Sequence, residues 1–564
     1  MRLRVFLSAA LIIVGTGSAF GQGRGGQGQG RGGQGRGGAG APALDAALPP
    51  APLVSPAPPP PALVDAIQSG NRTAAVKLID QKADVKAAAV DGTTALHWAA
   101  HNGDADLADR LIKAGANVNA KNEFGSTPLI EAALAGSAPV IDSLLKAGAD
   151  ANAQYVDGET ALMIIARGTN VKAARLLLDH GANVNALETQ KLQSALMWAA
   201  AEGQAPMVRE LIAHGADVNA RAYVNPTSTS NYSDSTYKDW PATVSAEPRA
   251  GPRSPGGLTP LLYASREGCT DCVKALIAGK ANLDMPDPES ITPLVMSITN
   301  FHFDIAAELI KGGANPDRWD LSGRSPLYCA VDMNTIPHGG RTDLPSTDDT
   351  TALQVISMLL DAGANPNLQL KLLPPYRSVG SDRGVDGMLT IGVTPLVRAA
   401  KGLDAPAIRL LVAHGANLTL TGARGITPIM AAAGMGSVDA DTRGFYTSED
   451  TAQRSKDSVE ALVNAGADVN SVAPNGQTPL HAASFWGWNL AVQYLVDHGA
   501  KVDVRDRNGK TVVDSALGKN GGNSRGGARI DVHQDTADLL IKLGAPPSTP
   551  AAPAGVPPLP PITR

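Results

Sequence analysis

One phrase recurs at a nearly fixed interval and restricts what this chain can become. LIKAGANVNA carries its glycine at Gly115, LLKAGADANA at Gly148, LLDHGANVNA at Gly181 and LIAHGADVNA at Gly215, so the steps are 33, 33 and 34 residues. Lys82 fills the same slot in an earlier, degenerate copy, LIDQKADVKA, and later copies carry Lys280, Gly313, Gly363, Gly415, Gly466, Gly499 and Gly544. That makes twelve copies. A period near 33 describes stacked helical units, none of which can bury its apolar face alone.

A second phrase precedes the first by about 21 residues wherever no extra segment intervenes: GTTALHWAA, GSTPLIEAA, GLTPLLYAS, SITPLVMSI, GVTPLVRAA, GITPIMAAA and GQTPLHAAS. Thr caps a helix by accepting from its first free N–H groups. Pro at the next position has no N–H to lose, and its φ already suits a helix. The Leu-x-x-Ala-Ala run then predicts a short helix with a small-residue face. A second helix, such as VIDSLLKAG or AARLLLDHG, runs to the glycine, which can take the left-handed conformation that ends a helix.

These two phrases in register resemble the ankyrin repeat, over residues 62–545. The resemblance implies an all-α repeat solenoid of stacked helix pairs joined by β-hairpin fingers. It also implies a curved rod with a concave groove of first helices and finger tips that holds a protein partner. At the usual helix spacing, twelve units would extend about 100 Å. The first copy lacks Thr-Pro and the last has Thr511-Val512, departures expected of capping units.

Five steps exceed the period and predict insertions. Those near 221–256 and 369–391 should lengthen fingers. Those near 332–350, 434–456 and 517–533 fall between the two helices of a unit and should emerge at the opposite edge. Outside the array, residues 22–61 run from a Gly/Gln/Arg tract to an Ala/Pro spacer, and 546–564 form a Pro-rich tail. Neither can bury a core, so both are expected to be disordered. Residues 1–21 read as a secretory signal: Arg2 and Arg4, an apolar run from Val5 to Val14, then cleavage after Ala19 or Gly21. An uncleaved anchor is the competing reading. Export to the periplasm or outside the cell is therefore expected, with no transmembrane helix in the mature chain.

Composition narrows the function. Aromatics make up 4% of the 564 residues, so the interior must be mostly Ala, Leu, Val and Ile. The net charge of -5 suggests no nucleic-acid or anionic-membrane binding by the whole chain. Three cysteines exclude a disulfide framework. Cys269 and Cys272 form a C-x-x-C, but they sit where every unit starts its second helix. Packing is the favoured reading, an oxidised pair the alternative and catalysis the least supported. Cys329 should be core.

His97 and His481 close phrases of the Thr-Pro-Leu-His type, Thr94-Ala-Leu-His97 and Thr478-Pro-Leu-His481, and the resemblance implies that they order the fingers by hydrogen bonding. His180, His214, His414 and His498 precede the helix-ending glycine, where a charged ring would favour the helix C-terminus. No phosphate-binding loop, G-x-S-x-G or H-E-x-x-H is present, so no catalytic, metal or cofactor site is expected.

The candidate partner contacts are aromatics outside core slots, with one neighbouring arginine. They are Phe124, Tyr155, Arg318 and Trp319 at finger tips; Phe485, Trp486 and Trp488 where a first helix ends; and Tyr232, Tyr237 and Trp240 in the first insertion. Covering neighbouring insertions is the rival role for these aromatics, whereas Trp98 and Trp198 should pack. The expected function is a monomeric, non-enzymatic scaffold for a protein partner. One alternative is an enzyme assembled from the insertions, for which His338, Arg341, Asp343, Asp439, Asp441 and Asp450 are available. The other is polyanion binding through Arg24, Arg31 and Arg36.

Overall fold

The structure is a computed structural model that describes residues 59–224, 256–335, 346–372, 391–437, 447–518 and 532–548. The chain divides into two compact units, Met1–Ala57 and Pro58–Arg564, and all the described residues lie in the second. They form 24 helices, from Ala62–Gln68 to Gln534–Lys542. Each odd-numbered helix packs on the one that follows, and each also packs on the odd-numbered helix of the next pair. The fold is an all-α repeat solenoid, as the phrase spacing predicts.

Local chemistry sets each boundary. Thr127, Thr160, Thr259, Thr292 and Thr394 cap first helices by accepting from the N–H three residues on. Pro occupies the first turn of most of these helices. The second helices end where the slot residue adopts positive φ, from 83° at Gly215 to 95° at Gly466. Lys82 and Lys280 adopt the same conformation at 61° and 64°, although each carries a Cβ. The four histidines before the glycine donate from Nδ1 to the carbonyl four residues back, at 2.8–2.9 Å. They therefore satisfy an end carbonyl directly, which needs no ring charge.

Most of the interior is one continuous cluster rich in Ala, Leu, Ile and Val that runs through the stack, with a small separate cluster of Tyr328, Leu370, Val393 and Val397. Cys329 lies in the larger cluster as a buried thiol. Cys269 and Cys272 are joined by a disulfide at the start of the helix Thr270–Ala278, where packing without a bond was the favoured expectation. The pair stands on the turn into the second helix, as its register predicts. That turn also brings the two sulfurs together.

The fingers differ from the expected β-hairpins. Among the described residues their strand pairing is reduced to isolated bridges, Ala88 with Thr94, Gln154 with Thr160 and Val224 with Gly256. The arms are too short for a ladder, and side-chain amides replace it. Asn119 Nδ2 donates to the Gly148 carbonyl while its Oδ1 accepts from Asp150 N, at 3.0 and 2.8 Å. Asn152, Asn185, Asn367 and Asn470 repeat the pattern onto Gly181, Gly215, Gly415 and Gly499. Asp284 and Asp317 keep only the accepting half, from Asn315 N and Asn365 N. Thr419 stands in this register too, and its hydroxyl turns back to Asn417 Oδ1 at 2.8 Å.

Parts of the insertions near 221–256, 332–350, 369–391, 434–456 and 517–533, namely 225–255, 336–345, 373–390, 438–446 and 519–531, lie outside the described residues. Where their ends are described, two extend helices. Residues 332–335 lengthen Pro326–Thr335, and the last residues of the fourth insertion belong to the 17-residue helix Ser448–Asn464. Residues 1–58 and 549–564, which include the expected signal and most of the expected disordered segments, also lie outside. No helix among the described residues is long and apolar enough to cross a membrane.

Candidate functional site

Several finger tips are built by an acidic or amide side chain that folds the turn on itself. Asn122 Oδ1 accepts from Phe124 N and Ser126 N, and Asp320 Oδ1 accepts from Ser322 N and Arg324 N. Adjacent tips are tied by backbone: Glu123 N donates to Asp91 O, Thr189 N to Asp157 O and Leu321 N to Glu289 O, at 2.8–3.1 Å. Histidine locks the base of a finger to the next unit. His97 Nδ1 accepts from Thr94 N and Oγ1, which leaves the proton on Nε2, 3.0 Å from Ser126 O. Burial lowers the His97 pKa, against the raising effect of the Ser126 carbonyl. His481 makes the same bonds to Thr478 and the Lys510 carbonyl, and burial lowers it too.

What the tips present is apolar. Among the described residues, nine of the fourteen exposed large apolar side chains stand on them: Val90, Phe124, Val156, Leu187, Leu192, Tyr223, Trp319, Leu321 and Val472. Val90 and Val156 are each 72% exposed, Phe124 51% and Trp319 48%. The valines and leucines escape a reading that looks only for aromatics. Their signal is positional, since Val90 and Val156 stand four residues before the capping threonine.

Phe124, Arg318 and Trp319 are exposed and Tyr155 is half-buried. Burial raises the Tyr155 hydroxyl, with Glu131, Asp157 and Glu159 adding to the shift. Lys371 Nζ lies 5.8 Å from the Trp319 ring. Phe485 stands at the edge of exposure, away from the fingers. Trp488 corrects the sequence reading: it is only 6% exposed and belongs to the core. Trp486 is half-buried, stacks on Trp488 at 5.8 Å and donates from Nε1 to the Gly434 carbonyl at 2.8 Å. The two indoles close over the start of an insertion, which is the rival role. Tyr232, Tyr237 and Trp240 lie outside the described residues.

Trp98, Glu131, Ile164, Trp198 and Tyr263 each stand four residues after a capping Thr or Ser. Trp98, Glu131 and Ile164 are half-buried and adjoin this surface, whereas Trp198 and Tyr263 are buried. Trp198 packs as expected, with the Arg167 guanidinium 3.2 Å over its ring and its buried indole N–H without an acceptor. Arg167 also pairs with Glu159 at 3.2 Å; burial raises Glu159, and Arg167 opposes the shift. Trp98 is only half-buried and lines an open pocket with Pro60, Val90, Asp91 and Glu123.

A second polar group lies inside the array. Arg324 and Asp320 are bonded at 2.6 Å and are 7% and 3% exposed at their side chains. Nearby, Arg398 pairs with Asp332 at 2.6 Å, and the fully buried Tyr328 hydroxyl has no hydrogen-bond partner. Burial pushes that hydroxyl well up, and Asp332 adds to the shift. Of the carboxylates available to the enzyme alternative, Asp450 caps its own helix by accepting from Thr447. His338, Arg341, Asp343, Asp439 and Asp441 lie outside the described residues. Among the described residues no group of three or more His, Cys, Asp or Glu is placed to hold a metal ion.

Comparison with known proteins agrees with the repeat geometry. A family profile for ankyrin repeats (3 copies) matches residues 63–155, 136–222, 261–370 and 450–549. Mouse Rabankyrin-5 is 40% identical over 68 residues, 10% of this chain and 6% of that protein, and human Rabankyrin-5 is 38% identical over the same length. Mouse ankyrin repeat and SOCS box protein 16 is 33% identical over 126 residues, 22% of this chain and 25% of that protein. The chain thus spans only a small part of these relatives. The crystal structure of the human ASB11 ankyrin repeat domain aligns with 22% identity and a TM-score of 0.35, over 45% of this chain and 98% of that one.

Proposed function

Because this chain belongs to the ankyrin-repeat family, matched over more than half its length, we propose that it is a non-enzymatic scaffold of about twelve units that binds a protein partner after export. The observation that carries the reading is the row of exposed apolar side chains on consecutive finger tips. Monomers rarely leave such a row uncovered without a use for it. The tips are held by backbone and by His97, so a partner meets a surface that is already in place and loses little affinity to ordering it. Export is supported by the basic and apolar opening of the sequence and by the Cys269–Cys272 bond, which suits an oxidising compartment.

The test is capture with the full chain as bait beside a Phe124→Ala/Trp319→Ala variant. Both side chains are about half exposed, so the variant should melt like the parent. A protein held by the parent and lost by the variant is the expected result. Equal capture by both, or none by either, would refute the tip surface as the scaffold's working face. Export is read separately, by fusing residues 1–40 to a phosphatase that is active only when oxidised. An inactive fusion refutes it.

A further inference from the structure

We infer that the first three fingers dock an extended segment of the protein partner that carries a basic side chain at every third position; this rests on the scaffold reading above. The pocket between the first two fingers is the reason. Its half-buried floor is the indole of Trp98, its apolar wall is Val90 with Pro60, and Asp91 and Glu123 supply two carboxylates. An aromatic face flanked by carboxylates suits one chemistry, the cationic end of a lysine or arginine with its alkyl stem along the apolar wall. The Asp91 carboxylate accepts from Thr93 N and Thr93 Oγ1, both at 2.9 Å, and so is fixed in place. No cation of the described residues forms an ion pair with Asp91 or Glu123. The nearest comparable carboxylates do have partners: Glu131 meets His101 and Glu159 meets Arg167.

The same pairing of an exposed apolar side chain with a carboxylate recurs along the row, as Val90 with Asp91, Phe124 with Glu123 and Val156 with Asp157. Over the first three fingers and the position four residues after each cap, Asp84, Asp91, Glu123, Glu131, Asp150, Asp157 and Glu159 outnumber Lys82, Lys86 and Lys121, with Glu131 held by His101 and Glu159 by Arg167. The last finger has the opposite balance, with Lys501, Arg505, Arg507 and Lys510 against Asp503 and Asp506. A basic segment is therefore drawn to the N-terminal end of the row. Packed helices stand about 8–10 Å apart, and the fingers share that spacing. A polyproline-type strand advances about 9 Å in three residues, so side chains three apart would meet successive fingers.

The probe is a fluorescein-labelled decapeptide with Arg at every third position and Pro or Leu between, titrated into the full chain and read by anisotropy. Its counterpart carries Glu in place of Arg. The Arg peptide should bind, weaken as salt is raised, and weaken about tenfold in Glu123→Lys, a change of about 1.4 kcal/mol. Glu123 is exposed, so that variant should melt with the parent. The Glu peptide should gain affinity for Glu123→Lys over the parent. Equal binding of the two peptides, or an Arg-peptide affinity unmoved by Glu123→Lys, overturns the inference. If capture of a protein still depends on Phe124 and Trp319 while the Arg peptide fails, only this inference falls and the scaffold reading stands.

Discussion

At the residue scale, single side chains carry the connection between units. Asn152 spans two units with both ends of its amide. Asn152→Asp keeps the acceptor but loses the donor and sets a carboxylate against the Gly181 carbonyl. It should cost about 1–2 kcal/mol in urea unfolding. The converse, Asp317→Asn, should add a fraction of that. The slot residue gives a second test. Lys280 holds φ at 64° where ten other units use glycine, so Lys280→Gly should stabilise the fold by about 0.5–1 kcal/mol after glycine's own entropy cost. A lower midpoint would refute the strain argument. His97 and His481 make stability depend on pH. Burial holds both below the ordinary imidazole value, so as acid is added the unfolded chain takes protons first. The stability they contribute is complete above the ordinary value and falls as pH drops from there towards the lowered folded pKa. His97→Gln/His481→Gln should flatten the urea midpoint between pH 7.5 and 5. An unchanged slope would remove these rings as the cause.

At the scale of helices, the buried pair in the turn before Pro326–Thr335 has no counterpart in the repeat phrase. Removing one partner strands the other, so Arg324→Met should cost about 3–5 kcal/mol in chemical unfolding. Tyr328→Phe removes a hydroxyl that has no partner and should be neutral or stabilising by about 1 kcal/mol. A large loss there would mean that the hydroxyl is bonded after all. Helix ends were legible because caps and glycine breaks are written in adjacent residues: Thr127-Pro128 starts a helix wherever it stands, and Gly148 ends one. The fate of Trp486 and Trp488 was not legible. Their cover is the backbone at Gly434, where a Cβ would meet both indoles at 2.5–2.6 Å, and that contact depends on where an insertion leaves the stack. The pocket at Trp98 was hidden for a similar reason. Asp91, Trp98 and Glu123 come from two units, and the period that reveals the units does not say which side chains meet between them.

Across the whole array, stability is close to a sum of units and the interfaces between them. Most interfaces described here carry an amide bridge or its accepting half. At Thr419 the bridging amide is replaced by a hydroxyl that bonds within its own finger. Amides in 447–518 and 532–548 should therefore exchange through an opening lower in free energy than those in 59–224, and Thr419→Asn should draw the two together. Uniform protection in the parent would refute the interruption. The asymmetry of the bridge has a further consequence. The side chain that reaches across belongs to the earlier unit, while the later unit offers only its main-chain carbonyl and N–H, groups that every residue type but proline owns. A unit thus imposes no identity on the one before it. Duplication, deletion and transplantation of whole units need preserve only one asparagine at the upstream edge of the join, which makes the order of binding faces along such a chain free to be rewritten.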